Sequence, residues 1–244
     1  MTLGVIIQAR VGSKRFPGKV LKDVGGHSML ARVVRRVSRA RRIDKVVVAT
    51  TELPPDDAIV NEARDLGAAL FRGDEQDVLD RYRGAAEQFG LDPLVRVTSD
   101  CPLIDPGLID LVIGHFLSAS PPVDFASNGL ERTYPRGLDF SVMRREALER
   151  AWAEAVEPYE RVHVTPYLRE HPERFRLLSV TGGTGAGQRW TVDTQEDLDF
   201  VRAIYGRFGN EDSMSWRDVL ALLEREPALL SINSGVRQKE LREL

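Results

Sequence analysis

Along the first half of this chain, short apolar runs rich in β-branched residues alternate with segments whose apolar residues recur at helical spacing, and that alternation leaves few folds open. Strand-length runs lie at Leu3 to Ile7, Lys45 to Ala49 and Leu94 to Thr98, with shorter ones at Ala68 to Phe71 and Asp124 to Ser127. Between them, three sets of residues each form one apolar helical face: Met29, Leu30, Val33, Val34 and Val37; Ile59, Ala63 and Leu66; and Val78, Leu79, Tyr82, Ala85, Ala86 and Phe89. Gly67 and Gly90 stand where the second and third helices should stop, as a left-handed C-terminal cap requires. Strands joined through helices need right-handed crossovers, so this order predicts an α/β, doubly wound, mostly parallel Rossmann-like sheet with helices on both faces.

After about residue 128 the rhythm changes. Strand-like pieces are expected at Leu138 to Met143, Arg176 to Val180 and Arg189 to Val192, with helices near Arg144 to Ala155 and Glu160 to Glu170, giving a mixed C-terminal half. Thr194 with Asp197, and Ser215 with Asp218, have the spacing of capping boxes that open amphipathic helices. From Ser231 to Leu244 the chain reads as a polar tail.

The net charge of the 244 residues is −3, so the chain lacks the overall basic excess of a nucleic-acid binder, and any anion site must be local. One such site follows the first strand. Between Gln8 and Lys19, the cations Arg10, Lys14, Arg15 and Lys19 crowd together with no acid among them. Gly12 and Gly18 let the backbone turn its N–H groups towards phosphate oxygens, while arginine supplies a donor fork and lysine a point charge. A triphosphate suits the loop, and the carboxyl end of a strand is where open α/β sheets bind ligands. The competing reading is a solvated basic turn. A Walker-type phosphate loop does not fit, because five residues separate Gly12 from Gly18 and Val20 follows Lys19 where a Ser or Thr is needed. Gly182-Gly183-Thr184-Gly185 is too isolated from a strand-helix junction to be a dinucleotide fingerprint.

The lone Cys101 rules out an internal disulfide framework and fits a reducing compartment. The first twenty residues form neither a signal peptide nor a membrane span. A cytoplasmic protein with no membrane partner is the expectation.

Ile6-Ile7-Gln8-Ala9-Arg10 through Pro17-Gly18-Lys19-Val20-Leu21 resembles the signature loop of the cytidylyltransferases that activate acidic sugars, Kdo and acylneuraminate among them. Within that family, the chain is similar to the spore-coat polysaccharide biosynthesis branch. The likeness continues at Val46 to Thr50, Phe71 to Asp74, Asp77 to Tyr82, Asp100 to Asp105, Arg132 to Pro135, His163 to Tyr167 and Thr191 to Thr194, and so covers most of the chain. It implies the nucleotide-diphospho-sugar transferase (GT-A-like) type of sheet, with a nucleotidyltransferase domain over 1–208. Residues 1–127 would be its nucleotide-binding half and 128–208 its acceptor-binding half, before a helical extension and tail at 209–244. It also implies a homodimer that uses CTP and Mg²⁺ to make a CMP-sugar for surface polysaccharide or glycoconjugate.

Asp100 and Asp193 each follow an expected strand, where two carboxylates can converge on one Mg²⁺; each taken alone is equally well read as a turn or helix cap. The resemblance assigns both to the metal, with Ser99 standing where the family pattern has Gly. It also places Gln8, Ala9, Arg10, Gly12, Ser13, Arg15 and Lys19 around the phosphates, and Thr50, Arg72, Gly73 and Asp77 around base and ribose, although N-cap chemistry is the simpler reading of Asp77 alone. Arg10, Arg15, Lys19 and Asp100 are the expected catalytic residues. For the acceptor, Asn128, Arg132, Tyr134, Arg136 and Asp139 gather donors, acceptors and an aromatic face in a short span, and Arg132 and Arg136 suit a sugar carboxylate. Glu160 and His163 open a later helix, with a structural histidine as the alternative.

Two other functions stay open on the residues alone. A nucleotide-sugar-dependent glycosyltransferase would show a second acid near Asp100, which Thr98-Ser99-Asp100 lacks. A non-catalytic nucleotide-binding protein would not need both metal acids.

Overall fold

In the computed structural model, which describes residues 2–238, the first four strands form as the apolar runs predict. They are β1 (Thr2–Gln8), β2 (Lys45–Thr51), β3 (Ala69–Gly73) and β4 (Leu91–Thr98). All four are parallel, with Gln8 level with Ala49 on one side and with Thr98 on the other, so their carboxyl ends share one edge. Three short strands, β5 (Phe125–Ser127), β6 (Ser141–Met143) and β7 (Leu177–Ser179), extend the sheet to the order β3-β2-β1-β4-β6-β5-β7. β6 runs antiparallel to both its neighbours, while β7 is parallel to β5.

Side-chain alternation along the central strand divides the core in two. Val5 and Ile7 pack with α1 (Met29–Val37), α2 (Asp57–Asp65), α4 (Pro106–Ser118), α8 (Gln195–Arg207) and α9 (Trp216–Arg225). Ile6 packs on the opposite face with α3 (Val78–Phe89), α5 (Arg145–Glu154) and α7 (Pro166–Glu170), the short α6 (Pro158–His163) lying between α5 and α7 in sequence. Both faces of the sheet are therefore covered, as a doubly wound arrangement requires. The caps form where the sequence placed them: Gly90 closes α3 at φ 62, and the Thr194 and Ser215 capping boxes open α8 and α9. No helix among the described residues is long and apolar enough to cross a membrane.

Four expectations change. Arg189 to Val192 is not a strand: Arg189 makes one isolated bridge to Arg136, and the Val192 N–H donates to the Asp100 carbonyl at 2.9 Å. The strand at Leu138 to Met143 shortens to β6, because Asn128 takes up the backbone of the segment before it, donating to the Leu138 carbonyl at 2.8 Å and accepting from the Phe140 N–H at 3.1 Å. The single helix at Glu160 to Glu170 is two, α6 and α7, broken where Val164 turns to φ 71 and Pro166 starts the next helix. The expected polar tail from Ser231 is in part packed: Ile232 lies half-buried against the core and Asn233 is 6% exposed. Residues 239–244 of that tail lie outside the described residues.

Candidate active site at the carboxyl edge of the sheet

Lys19 stands at the centre of the polar groups on this edge. The loop leaving β1 closes on itself through Gly18, whose N–H donates to the Val11 carbonyl at 3.0 Å. At φ 70, Gly18 then caps a 3-10 turn at Lys19–Leu21, a left-handed position that favours glycine. This turn buries Lys19 to 8% exposure and aims its ammonium inward. Nζ donates to Asp100 Oδ2 at 2.9 Å, to the Val192 carbonyl at 2.8 Å and to Asp193 Oδ1 at 2.9 Å, so all three of its protons are used. Asp100 follows β4 and Asp193 precedes α8; two carboxylates 93 positions apart thus touch one nitrogen.

Burial alone would lower the Lys19 pKa, but the two carboxylates outweigh it and the value is raised. Burial would likewise raise the acids, yet the ammonium holds Asp100 below the usual carboxylate range and pushes Asp193 down to about 2. All three groups are charged at neutral pH. Asp193 has two further cations on its other oxygen, Arg15 at 2.8 Å and Arg189 at 2.7 Å. Hard carboxylate oxygens converging on one point are a donor set that fits a small divalent cation completed by phosphate and water oxygens. Among the described residues, no group of three or more acids, histidines or cysteines forms a closed metal cage.

The neighbouring loops are tied into a frame. Asp56, 2% exposed, accepts from the Val11 N–H at 2.7 Å, from the Thr50 hydroxyl at 3.1 Å and from the Thr51 hydroxyl. Thr50 is fully buried and its hydroxyl is committed to that bond. Arg72 donates to the Thr51 carbonyl at 2.8 Å and pairs with Asp57 at 2.7 Å, and Asp77 caps α3 while accepting from Arg161 Nε at 3.0 Å. Arg10 pairs at 3.3 Å with Glu75, an acid that spacing in the sequence does not single out. Gln8, next to Ala9 at the strand end, keeps a buried Oε1 with no hydrogen-bond partner. Gly12 and Ser13 lie in the loop itself, the Ser13 N–H donating to the Val11 carbonyl at 2.8 Å.

On the acceptor side, Arg132 pairs with Asp139 at 2.8 Å. The Arg136 pKa is lowered by burial and by neighbouring Arg132, and that of Arg169 on α7 is lowered by burial, with Arg132 and Arg96 also acting on it. Arg96, the one cation within the β4 run, and Arg169 on α7 are two further basic groups here, and no short motif marks either as a ligand. The buried Asn128 is used up by the loop bonds already described. Tyr134 packs edge-on against Trp216 with ring centroids 5.3 Å apart, and its hydroxyl reaches the Thr181 carbonyl at 3.4 Å. Glu160, 5% exposed, accepts from the Val156 and Glu157 N–H groups at 3.1 and 3.0 Å, closing the N-terminus of α6, and His163 is the last residue of that helix. Buried Cys101 has its thiol pKa pushed well up by burial and by Asp100, which keeps it an un-ionised apolar neighbour.

A cavity of about 570 Å³ opens beside Asp193, lined by Arg15, Thr194, Glu196 and the C-terminal residues Ile232, Gly235, Val236 and Arg237. A second hollow of about 650 Å³, near β7 and the end of α4, includes no residue of the basic loop, whereas the first is lined by Arg15 and by Thr194 next to Asp193.

A family model described as "Cytidylyltransferase" matches residues 4–212. The spore coat polysaccharide biosynthesis protein SpsF of Bacillus subtilis is 34% identical, over 91% of this chain and 94% of its own. A 3-deoxy-manno-octulosonate cytidylyltransferase of Anaeromyxobacter dehalogenans is 44% identical, over 83% of this chain and 97% of its own. Among solved structures, a cytidylyltransferase from Leptospira borgpetersenii superposes with a TM-score of 0.91 at 32% identity, covering 98% of this chain and all of that one.

Proposed function

This chain belongs to the cytidylyltransferase family, and from that premise we propose that it transfers CMP from CTP to a hydroxyl of a sugar or sugar acid, releasing pyrophosphate, in the synthesis of surface polysaccharide or glycoconjugate. The observation that carries this reading is the single ammonium of Lys19 held between Asp100 and Asp193 directly behind the basic loop. Cations already paired to carboxylates are pre-oriented for phosphate: an incoming triphosphate offers Lys19 and Arg15 oxygens of the same charge, and their departure frees the acids.

Asp100 and Asp193 would then hold Mg²⁺, which supplies charge neutralisation at the phosphates. Lys19 and Arg10, supported by Arg15, bind the β- and γ-phosphates and stabilise the charge that grows on the leaving pyrophosphate. Loop residues Gln8 to Ser13 fix the triphosphate, and the frame of Thr50, Arg72, Gly73 and Asp77 borders the base and ribose. The acceptor hydroxyl attacks the α-phosphorus in line, its proton passes to water, and the bond from the α-phosphorus to the bridging oxygen breaks so that pyrophosphate leaves with that oxygen; positioning provides much of the acceleration. Arg132, paired with Asp139, and Arg136 face the acceptor and suit a carboxylate on it. We infer a homodimer from the family.

Family membership sets aside the glycosyltransferase alternative, and the paired acids argue against a binding protein without catalysis. The test is pyrophosphate release from CTP and Mg²⁺ across a panel of neutral sugars and 2-keto sugar acids. Release with at least one acceptor, abolished in Lys19→Ala, supports the reading; a Lys19→Ala protein with undiminished turnover refutes it.

A further inference from the structure

The residues assigned to nucleotidyl transfer leave unexplained why the chain, after α9, returns to the same charged centre. Beyond the 3-10 turn at Pro227–Ser231, Ile232 packs half-buried against the core and Asn233 inserts between Arg189 and Asp197. The Asn233 amide donates to the Arg189 carbonyl at 2.9 Å and to Asp197 Oδ1 at 3.0 Å. Asp197 is fully buried. Its Oδ1 also accepts from Arg189 Nε at 2.9 Å, and its Oδ2 accepts from Arg189 Nη2 at 3.0 Å and from the Asp193 N–H at 2.9 Å. Arg189 Nη2 in turn donates to Asp193 Oδ2 at 2.7 Å.

Asp193 thus has three cationic partners, and two of them, Lys19 and Arg15, are called away when a triphosphate arrives. Arg189 is the partner that stays. Its guanidinium is gripped on two nitrogens by Asp197, and Asp197 is fixed by the amide from the C-terminal segment. We propose that Asn233, Asp197 and Arg189 are positioning residues that hold Asp193 in its working orientation while Lys19 and Arg15 transfer to phosphate, which makes the C-terminal segment part of the catalytic apparatus. This inference rests on the nucleotidyl-transfer reading.

Its test is calorimetric binding of CTP to the full-length protein, with Mg²⁺ and again with EDTA, beside the melting temperature of each variant. Asn233→Ala is expected to weaken the Mg²⁺-dependent part of CTP binding about 10- to 100-fold, the usual consequence of removing a group that orients a metal ligand, and to leave metal-free CTP binding unchanged. Asn233→Gln, which keeps the amide donor, recovers part of the loss. Ile232→Ala loosens the same segment through packing alone and lowers the melting temperature without separating the two binding modes. Should Asn233→Ala not fold, Arg189→Lys serves instead: it keeps a charge for Asp193, cannot fork to Asp197, and is expected to show the same selective loss. If the wild type binds CTP with Mg²⁺ and Asn233→Ala behaves like Ile232→Ala, the inference alone is overturned. A wild type without Mg²⁺-dependent CTP binding removes the underlying reading as well.

Discussion

Replacing Lys19 by Met should destroy catalysis and yet tighten the binding of a bare divalent cation. The ammonium occupies the carboxylate oxygens that a metal held by Asp100 and Asp193 would need, at 2.9 Å from each acid. A hydrogen bond to a charged group contributes about 1.5–3 kcal/mol net, and the Asp100 side chain is 26% exposed, so solvent screens part of the pair. Taking the two contacts together at about 2–3 kcal/mol, a metal that must first displace the ammonium is handicapped by that amount. Without the ammonium, at about 1.4 kcal/mol per decade, apparent Mg²⁺ affinity in the absence of nucleotide should rise roughly 30- to 100-fold. Met keeps a stem of similar length, so the buried turn at Lys19–Leu21 is left filled. The assay is the melting temperature of wild type and variant across a Mg²⁺ titration without nucleotide, since a ligand bound only by the folded state raises stability in proportion to the logarithm of its concentration. The variant should start lower, respond at lower Mg²⁺, and lose about 10²- to 10³-fold in turnover with CTP. Equal or weaker Mg²⁺ affinity in Lys19→Met would show that the ammonium and the metal do not share those oxygens.

Acid should unfold the protein partly through Asp193. Its folded pKa of about 2 lies below the ordinary 3.8, so its contribution, about 2 kcal/mol, is complete above pH 4 and is lost as pH falls towards 2; urea titrations over that range should show the loss in wild type and much less of it in Lys19→Met. The raised Lys19 pKa acts in the opposite sense, stabilising at all pH values below its ordinary 10.5 and fading only as pH rises through the folded value. Asp56→Ala leaves the Val11 N–H and the Thr50 and Thr51 hydroxyls without their acceptor, and should cost roughly 3 kcal/mol in urea unfolding while weakening CTP binding by loosening both loops. Gly137→Ala should lower stability by at least about 3 kcal/mol, because residue 137 sits at φ +107 and an added Cβ would lie 2.5 Å from the Thr191 backbone nitrogen and 2.6 Å from the Trp190 carbonyl carbon; a melting temperature within a degree or two of wild type would contradict this.

How much of this was legible in the sequence differs between the two halves. Strands β1, β2 and β4 are largely buried on both faces, so they appear as continuous apolar runs, while the edge strand β3 is only half-buried and shows a shorter one; the crossover helices between them show one-sided spacing. The helix α4 escaped because Leu108, Ile109, Leu111, Val112, Ile113, Phe116 and Leu117 are apolar nearly all round, hiding the period; the Asp105-Pro106 start was its one local signal. Arg189 to Val192 alternates like a strand, but its backbone groups are claimed by Asp100, Arg136 and Asn233, so no ladder forms. At the site, Lys19 closes the acid-free basic loop that follows β1 and Asp100 follows β4, positions that gather on one edge; Asp193 follows Arg189 to Val192, which alternates like a strand without forming one. Arg189, Glu75 and Asn233 were not, since their meaning lies in partners far away in the chain: Asn233 is 44 residues from Arg189, and Glu75 is 65 from Arg10. Asp197 was seen only as a capping residue, which it is, while its second task on Arg189 depends on tertiary packing.

If the basic loop and the paired aspartates together hold a cytidine triphosphate with a divalent ion, a melting-temperature panel of CTP, ATP, GTP and UTP, each with and without Mg²⁺, will show it. CTP with Mg²⁺ should raise the melting temperature most, and Asp100→Asn should erase the Mg²⁺-dependent increment. An equal response to all four triphosphates, or none to CTP at millimolar concentration, would contradict the account.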